Sequence, residues 1–248
     1  MKMYGLIGFP LTHSFSKKYF AEKFEKEGIA DIAFHNFPLT SISEFPQLLK
    51  SNPTLQGLNV TIPYKEQVLQ YIDHLSEEVK ETRAANCIKI GKDGLVAYNT
   101  DIIGFRDSFV GKLKPGNKKA LVLGSGGSSK AVQYVLDKLG IDFLIVSRTM
   151  GNKPGFIGYN QLSNEMMNDF TVIINCTPLG MYPDECSFPD IPYSYLTPNH
   201  YLFDLVYNPA KTQFLIKGEE QGAVTENGYE MLKLQAEASW KIWNEEKY

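Results

Sequence analysis

At 248 residues the chain lies near the length at which one hydrophobic core gives way to two domains. Its 43% hydrophobic and 21% charged residues are those of an ordinary globular protein, and a net charge of −3 argues against a nucleic-acid binder, which needs a concentrated basic surface. No window approaches the roughly 20 apolar residues of a membrane span.

The N-terminal run Tyr4-Gly5-Leu6-Ile7-Gly8-Phe9-Pro10 is too short and too broken for a signal-peptide core. The three cysteines (Cys87, Cys176, Cys186) are scattered, with neither a disulfide framework nor zinc spacing, so a reducing cytoplasm is the expected compartment and no metal is expected.

Strand-like and helix-like segments alternate nearly throughout, which predicts an α/β architecture with largely parallel sheets. Tyr4 to Gly8 reads as a strand. Ser16 to Glu27 reads as a helix with Tyr19, Phe20 and Phe24 on one face and Gly28 as its stop. Strands are expected at Ile32 to Phe37 and Leu58 to Thr61, with a short helix at Ser43 to Lys50 between them. Pro63 suits the first position of a helix carrying Val68, Leu69, Ile72 and Leu75. Asn86 to Asn99 reads as a hairpin turning at Lys92-Asp93-Gly94.

After a helix from about Ile102 to Leu113, Pro115-Gly116-Asn117 marks a connection and the pattern restarts. Strands are expected at Lys119 to Leu123, Phe143 to Val146, Thr171 to Asn175, Tyr201 to Leu205 and Ala223 to Thr225. A final helix, Tyr229 to Trp243, puts Leu232, Ala236, Ser239 and Trp243 on one stripe.

Gly124-Ser125-Gly126-Gly127-Ser128-Ser129 follows a strand and opens a helix, the context in which a glycine turn cradles a pyrophosphate. The first glycine permits the tight turn and the second admits the phosphate; Ser129 takes the third position, which chiefly governs helix–strand packing. The next strand ends in Ser147-Arg148-Thr149, with Lys153 close behind. An acid to hold a ribose 2′-hydroxyl is missing there, and an arginine can pair with a 2′-phosphate. NADP is favoured over NAD.

In the first half, His13-Ser14-Phe15-Ser16 carries two hydroxyls two residues apart; Ser16 sits where a helix N-cap belongs, whereas Ser14 has no such local role. Asn59-Val60-Thr61-Ile62-Pro63-Tyr64-Lys65 would put a lysine in a helix's first turn beyond a strand's carboxyl end, where α/β sheets form their ligand crevices. There the helix dipole opposes a cation by about 0.3–1 kcal/mol, which favours the neutral amine and suits acid–base work. Asn86 begins the hairpin, and Asp101 in Asn99-Thr100-Asp101 opens a helix, where N-capping and catalysis both remain open.

Taken in order, these stretches resemble the shikimate dehydrogenase family. Further matches are Asn175-Cys176-Thr177-Pro178-Leu179-Gly180-Met181, Asp204-Leu205-Val206-Tyr207-Asn208-Pro209, and Asn227-Gly228-Tyr229-Glu230-Met231-Leu232 leading to Gln235-Ala236. The resemblance implies an N-terminal α/β substrate-binding domain over 1–101, a C-terminal Rossmann-type NADP-binding domain over 102–228, and a helix over 229–248 returning to the first.

It also implies Lys65 and Asp101 as catalytic residues, with Ser14, Ser16, Thr61, Asn86, Asp101, Tyr207 and Gln235 toward a shikimate-like substrate. Gly124, Ser125, Gly126, Gly127, Ser128, Ser147, Arg148, Thr149, Thr177, Gly228 and Met231 would lie toward NADP(H). The implied activity is NADPH-dependent reduction of 3-dehydroshikimate by a monomer or homodimer. The alternatives are a quinate/shikimate dehydrogenase accepting NAD and a non-catalytic nucleotide-binding module. Two departures from the family pattern are Lys17, where Pro is usual, and Ser147, where Asn is usual.

Overall fold

A computed structural model describes residues 1–11, 14–148 and 153–245. It divides into two compact units, 1–100 with 236–248, and 101–235. Among the described residues no helix is long and apolar enough to cross a membrane.

The first unit holds a six-stranded sheet of order β2-β1-β3-β5-β6-β4. Its strands are β1 (Lys2–Gly8), β2 (Ile32–Pro38), β3 (Leu55–Val60), β4 (His74–Leu75), β5 (Cys87–Gly91) and β6 (Gly94–Tyr98). β2, β1 and β3 run parallel, and the β5–β6 hairpin joins β3 antiparallel. Alternation along the strands gives the sheet two apolar faces. Ile7, Leu58, Val60 and Ile88 face a core with Phe45, Val68 and Val79, beneath α2 (Phe45–Ser51) and α3 (Glu77–Thr82). Tyr4, Leu6, Phe34 and Cys87 face α1 (Phe15–Lys26) through Phe20 and Phe24. On that face they also meet Trp240 and Trp243, in the segment 236–245. The Trp243 indole stacks on Tyr4 with ring centroids 4.8 Å apart and donates its Nε1–H to the Ile88 carbonyl at 3.0 Å. Gly57 on β3 is required there, because a β-carbon would collide with that indole.

The segment after Pro63 departs from the expected α-helix. It forms turns and then a 3-10 helix, Gln67–Tyr71, before β4. Two anchors explain this: the Tyr64 hydroxyl donates to the Leu39 carbonyl at 2.6 Å, and the Lys65 carbonyl accepts the Ala85 amide at 2.8 Å. With the Lys65 carbonyl so engaged, the Leu69 amide turns to Glu66 instead, in the i→i−3 pattern.

The second unit contains α4 (Asp101–Phe109), β7 (Lys119–Leu123), α5 (Gly127–Lys138), β8 (Asp142–Val146) and β9 (Phe156–Ile157). These are followed by α6 (Asn164–Asp169), β10 (Val172–Asn175), β11 (Tyr201–Asp204), α7 (Gln213–Glu220) and β12 (Val224–Glu226). The first turns of α8 (Tyr229–Trp243), residues 229–235, belong to this unit as well. All its strand pairings are parallel, in the order β12-β11-β10-β7-β8-β9. Counted within the unit this is 3-2-1-4-5-6, the doubly wound dinucleotide order whose switch point lies between its first and fourth strands. Ala120, Val122, Val172, Ile174 and Phe203 face α4 and α5 residues, while Leu121, Leu123, Ile173 and Leu202 face the opposite core with Met167, Phe214 and Leu215. α6, α7 and β9 are additions to the elements expected from sequence.

Candidate functional site

In the first unit, strand register assembles a polar cluster at one end of the central strands β3, β5 and β6. Cys87 pairs with Asn59 on one side and with Tyr98 on the other. The next residues outward, at the carboxyl end of β3, are therefore Val60 and Thr61, Asn86, and Asn99-Thr100, after which the chain enters α4 at Asp101. The Thr61 amide donates to Ile7 O at 2.9 Å and the Phe9 amide to Ile62 O at 3.0 Å, so the ends of β1 and β3 are laced together. Gly8 leaves room for the Thr61 methyl, which a β-carbon would strike.

Asn86 is 3% exposed and is held from several sides. Its carbonyl accepts the Val60 amide at 2.8 Å, and its side-chain Oδ1 accepts the Thr100 amide at 2.6 Å and the Thr100 hydroxyl at 3.1 Å. A backbone N–H can only donate, so the atom it meets is the amide oxygen and Nδ2 is the group Asn86 can turn elsewhere. Lys65 is half-buried, its peptide fixed by Ala85 next to Asn86. No α-helix begins there, so no α-helix dipole acts on the Lys65 amine. Asp101 is buried at the start of α4.

The N-cap position of α1 falls on Ser14 and not on Ser16. Ser14 occupies the N-cap position of α1 without a side-chain cap bond, and Ser16 lies buried within the first turn. The Ser14 hydroxyl is buried with no hydrogen-bond partner among the described residues, a state that costs about 1–3 kcal/mol unless a ligand or water meets it. The same holds for the Oδ1 atoms of Asn36 and Asn59. Asn36 follows His35 in β2, and Asn59, near the end of β3, is the first residue of the Asn59–Lys65 run. His13 lies outside the described residues.

In the second unit the glycine turn stands at the switch point. The Gly124 amide donates to Val146 O at 2.8 Å, the Cys176 amide to Leu123 O at 2.9 Å, and the Ser147 amide to Ile157 O at 3.0 Å, which brings the loops after β7, β8 and β10 together. Gly124 has φ +98°, a conformation that favours glycine, and a β-carbon there would sit 3.0 Å from Thr177 Cγ2. Gly126 is the N-cap of α5, with no side-chain cap bond, and a β-carbon on it would meet nothing within 4 Å. That open space beside a helix N-terminus fits a phosphate group, with exposed Ser125 and half-buried Gly127 and Ser128 around it. Ser129 is fully buried and donates to Gly126 O at 2.7 Å, so the serine in the third position closes the turn instead of opening it.

Ser147 is buried, and Arg148 is exposed with no ion pair among the described residues; Thr149 lies outside them. Thr177 is locked by Asn175 Oδ1, which accepts its amide at 3.0 Å and its hydroxyl at 2.6 Å. Gly228 is buried where a β-carbon would strike the Leu205 carbonyl, whereas Met231 packs in the core with Phe105 and Phe203. Tyr207 is half-buried in the loop after β11, and Gln235 is buried, with Nε2 donating to Leu232 O at 2.9 Å.

Asn175 is itself held by Asp204, a carboxylate with no solvent exposure that accepts from Asn175 Nδ2 at 2.9 Å, the Val206 amide at 3.0 Å and the Thr212 hydroxyl at 2.5 Å. Burial pushes its pKa up from 3.8 to about 6, against the pull of those three donors.

A family model described as the shikimate dehydrogenase substrate binding domain matches residues 6–88. A protein of Caldicellulosiruptor saccharolyticus named shikimate dehydrogenase (NADP(+)) is 36% identical over 259 residues, covering 98% of this chain and 92% of the relative. Shikimate dehydrogenase 1 of Peptoclostridium difficile, solved by crystallography, is 35% identical with a TM-score of 0.88, covering 100% of this chain and 93% of that one. A crystal structure of a shikimate dehydrogenase in complex with NADP+ is 30% identical with a TM-score of 0.87, covering 99% of this chain and 90% of that one.

The buried Asp204 has a pH signature. Its folded pKa of about 6 exceeds the reference 3.8, so between these values the folded state holds a proton that the unfolded chain has released. Asp204 therefore favours folding increasingly as pH falls through about 6, and this gain is complete below the unfolded pKa. The stability of the native chain minus that of Asp204→Asn should rise between about pH 7 and about pH 5 in chemical denaturation. A difference that stays constant over this range would contradict the assignment.

Proposed function

The chain belongs to the shikimate dehydrogenase family, and we propose that it catalyses the NADP-dependent interconversion of 3-dehydroshikimate and shikimate in aromatic biosynthesis, with Lys65 and Asp101 handling the proton. The observation that carries this reading is the register of β3, β5 and β6, which lines up Thr61, Asn86 and Thr100 beside the Lys65 turn.

When bound, NADPH supplies the hydride that reduces the ring carbonyl carbon. Lys65 Nζ gives its proton to the carbonyl oxygen as negative charge develops there, and the Asp101 carboxylate orients the ammonium. In the reverse direction the amine of Lys65 removes the hydroxyl proton. Asn86 offers its Nδ2 and Thr61 its hydroxyl to ring hydroxyls; Ser14 and Ser16 offer theirs to the substrate carboxylate. For Ser14 this is supported by a buried hydroxyl with no other partner among the described residues. Gln235 and Tyr207 complete the substrate contacts.

The residues present fit the cofactor. The open cradle at Gly126 and the amides at the start of α5 suit the pyrophosphate, with Gly124, Ser125, Gly127 and Ser128 shaping it. Arg148, with Ser147 and Thr149 beside it, suits the 2′-phosphate, since an exposed guanidinium can pair with it in two parallel hydrogen bonds. Thr177, Gly228 and Met231 are assigned to the nicotinamide side.

Two outcomes follow, both read by NADPH absorbance with shikimate, quinate and related acids. Lys65→Ala and Asp101→Ala should each lower turnover by roughly 10²–10⁴-fold while NADP affinity stays within a few-fold. Turnover near that of the native chain in both variants would remove them from the chemistry. Arg148→Ala should weaken NADP binding by about 10–100-fold and NAD binding little. An equal effect on the two cofactors would overturn the 2′-phosphate assignment.

A further inference from the structure

Ser239 lies on the apolar stripe of the last helix, in the segment that packs on the first unit, and has no solvent exposure. A buried helix interior favours alanine, and a hydroxyl there costs free energy unless it is hydrogen-bonded. This hydroxyl reaches two other elements. It accepts from Asn59 Nδ2 at 2.8 Å and lies 3.1 Å from Thr100 Oγ1. Thr100 has one hydroxyl proton, and Asn86 Oδ1 takes it at 3.1 Å. With that proton given to Asn86, Ser239 is the donor to Thr100. A directed relay results, Asn59 to Ser239 to Thr100 to Asn86, with every oxygen along it buried and each side chain 4% exposed or less.

The relay ends on two groups of the proposed site. Its last bond holds the Asn86 amide with oxygen toward Thr100 and nitrogen turned away, and Thr100 is the residue before Asp101. We propose that Ser239 is a positioning residue for the reaction: through the Thr100 hydroxyl it sets the orientation of the Asn86 amide and the entry of the chain into Asp101. The proposal rests on the roles given above to Asn86 and Asp101. Ser239 has no solvent exposure, so its effect on the reaction passes through Thr100 and Asn86. Cys87, on the same face, is also a hydrogen-bond partner of Ser239, and burial pushes its pKa up to about 12, so the thiol there stays neutral.

The test is a double-mutant cycle on the full chain, Ser239→Ala with Thr100→Val, which keeps the threonine's shape and removes its hydroxyl. Asp101→Ala is measured in the same assay. Each of the first two variants should lower kcat/KM for shikimate by about three- to tenfold while the Kd for NADP+ is unchanged, and the double variant should lose no more than the worse single. Ser239→Thr, which keeps the hydroxyl, should recover most of the loss at Ser239. A fall in Tm with kcat and KM for shikimate untouched would make Ser239 merely structural and overturn the proposal, as would losses that multiply in the double variant. Full turnover in Asp101→Ala would instead bring down the catalytic reading, a result separable from either of those.

Discussion

The antiparallel pairing of β5 with β3 and β6, fixed at Asn59, Cys87 and Tyr98, is the constraint from which the candidate chemistry follows. A strand's side chains alternate, so a slip of one residue would turn Ile88 away from its core and Cys87 into it. Hydrophobic burial on both faces of the sheet resists that slip. Once the register is set, Thr61, Asn86 and Thr100 must emerge together at the carboxyl end of β3, where no further strand residues cover them. Hydrogen bonds then finish this end of the sheet, with the Asn86 side-chain Oδ1 accepting the Thr100 amide and the Ala85 amide donating to the Lys65 carbonyl. Polar groups this well buried are costly if unpaired, so the network specifies one arrangement of the loops instead of several.

The second unit solves a different problem with the same economy. A parallel sheet buried on both faces leaves its strand ends as the place where polar backbone can meet a ligand. The Asp204 carboxylate, at the end of β11, holds Asn175 at the end of β10, and Asn175 holds Thr177. A buried acid therefore stands behind a loop proposed to face the nicotinamide, while Gly124 and Gly126 keep the neighbouring turn tight and open.

Much of this was legible in the residues themselves. Hydrophobic alternation and the turn at Lys92-Asp93-Gly94 located the main strands, and the glycine turn located the nucleotide loop together with the strand and helix around it. What sequence periodicity missed was governed by distant partners. The helix expected after Pro63 is undone by the Tyr64 and Lys65 anchors to Leu39 and Ala85, neither of which is local. The N-cap position falls on Ser14 and not on Ser16 because α1 starts one residue before the expected one. Asn59 reads as the first residue of the Asn59–Lys65 run and Ser239 as a stripe serine, and their mutual hydrogen bond across 180 residues is what joins them. β9 has two residues and α6 six, too few for a period to show, whereas α7 is amphipathic, with Phe214, Leu215 and Gly218 turned to the core.

The central claim is that the register-built cluster binds the substrate ring beside Lys65. A crystal structure with shikimate bound tests it most directly. It should show a ring hydroxyl within about 2.6–3.2 Å of Lys65 Nζ, and another meeting Asn86 Nδ2, at the carboxyl ends of β1 and β3. Shikimate seated elsewhere, or a Lys65 ammonium turned away from the ring, would contradict the account.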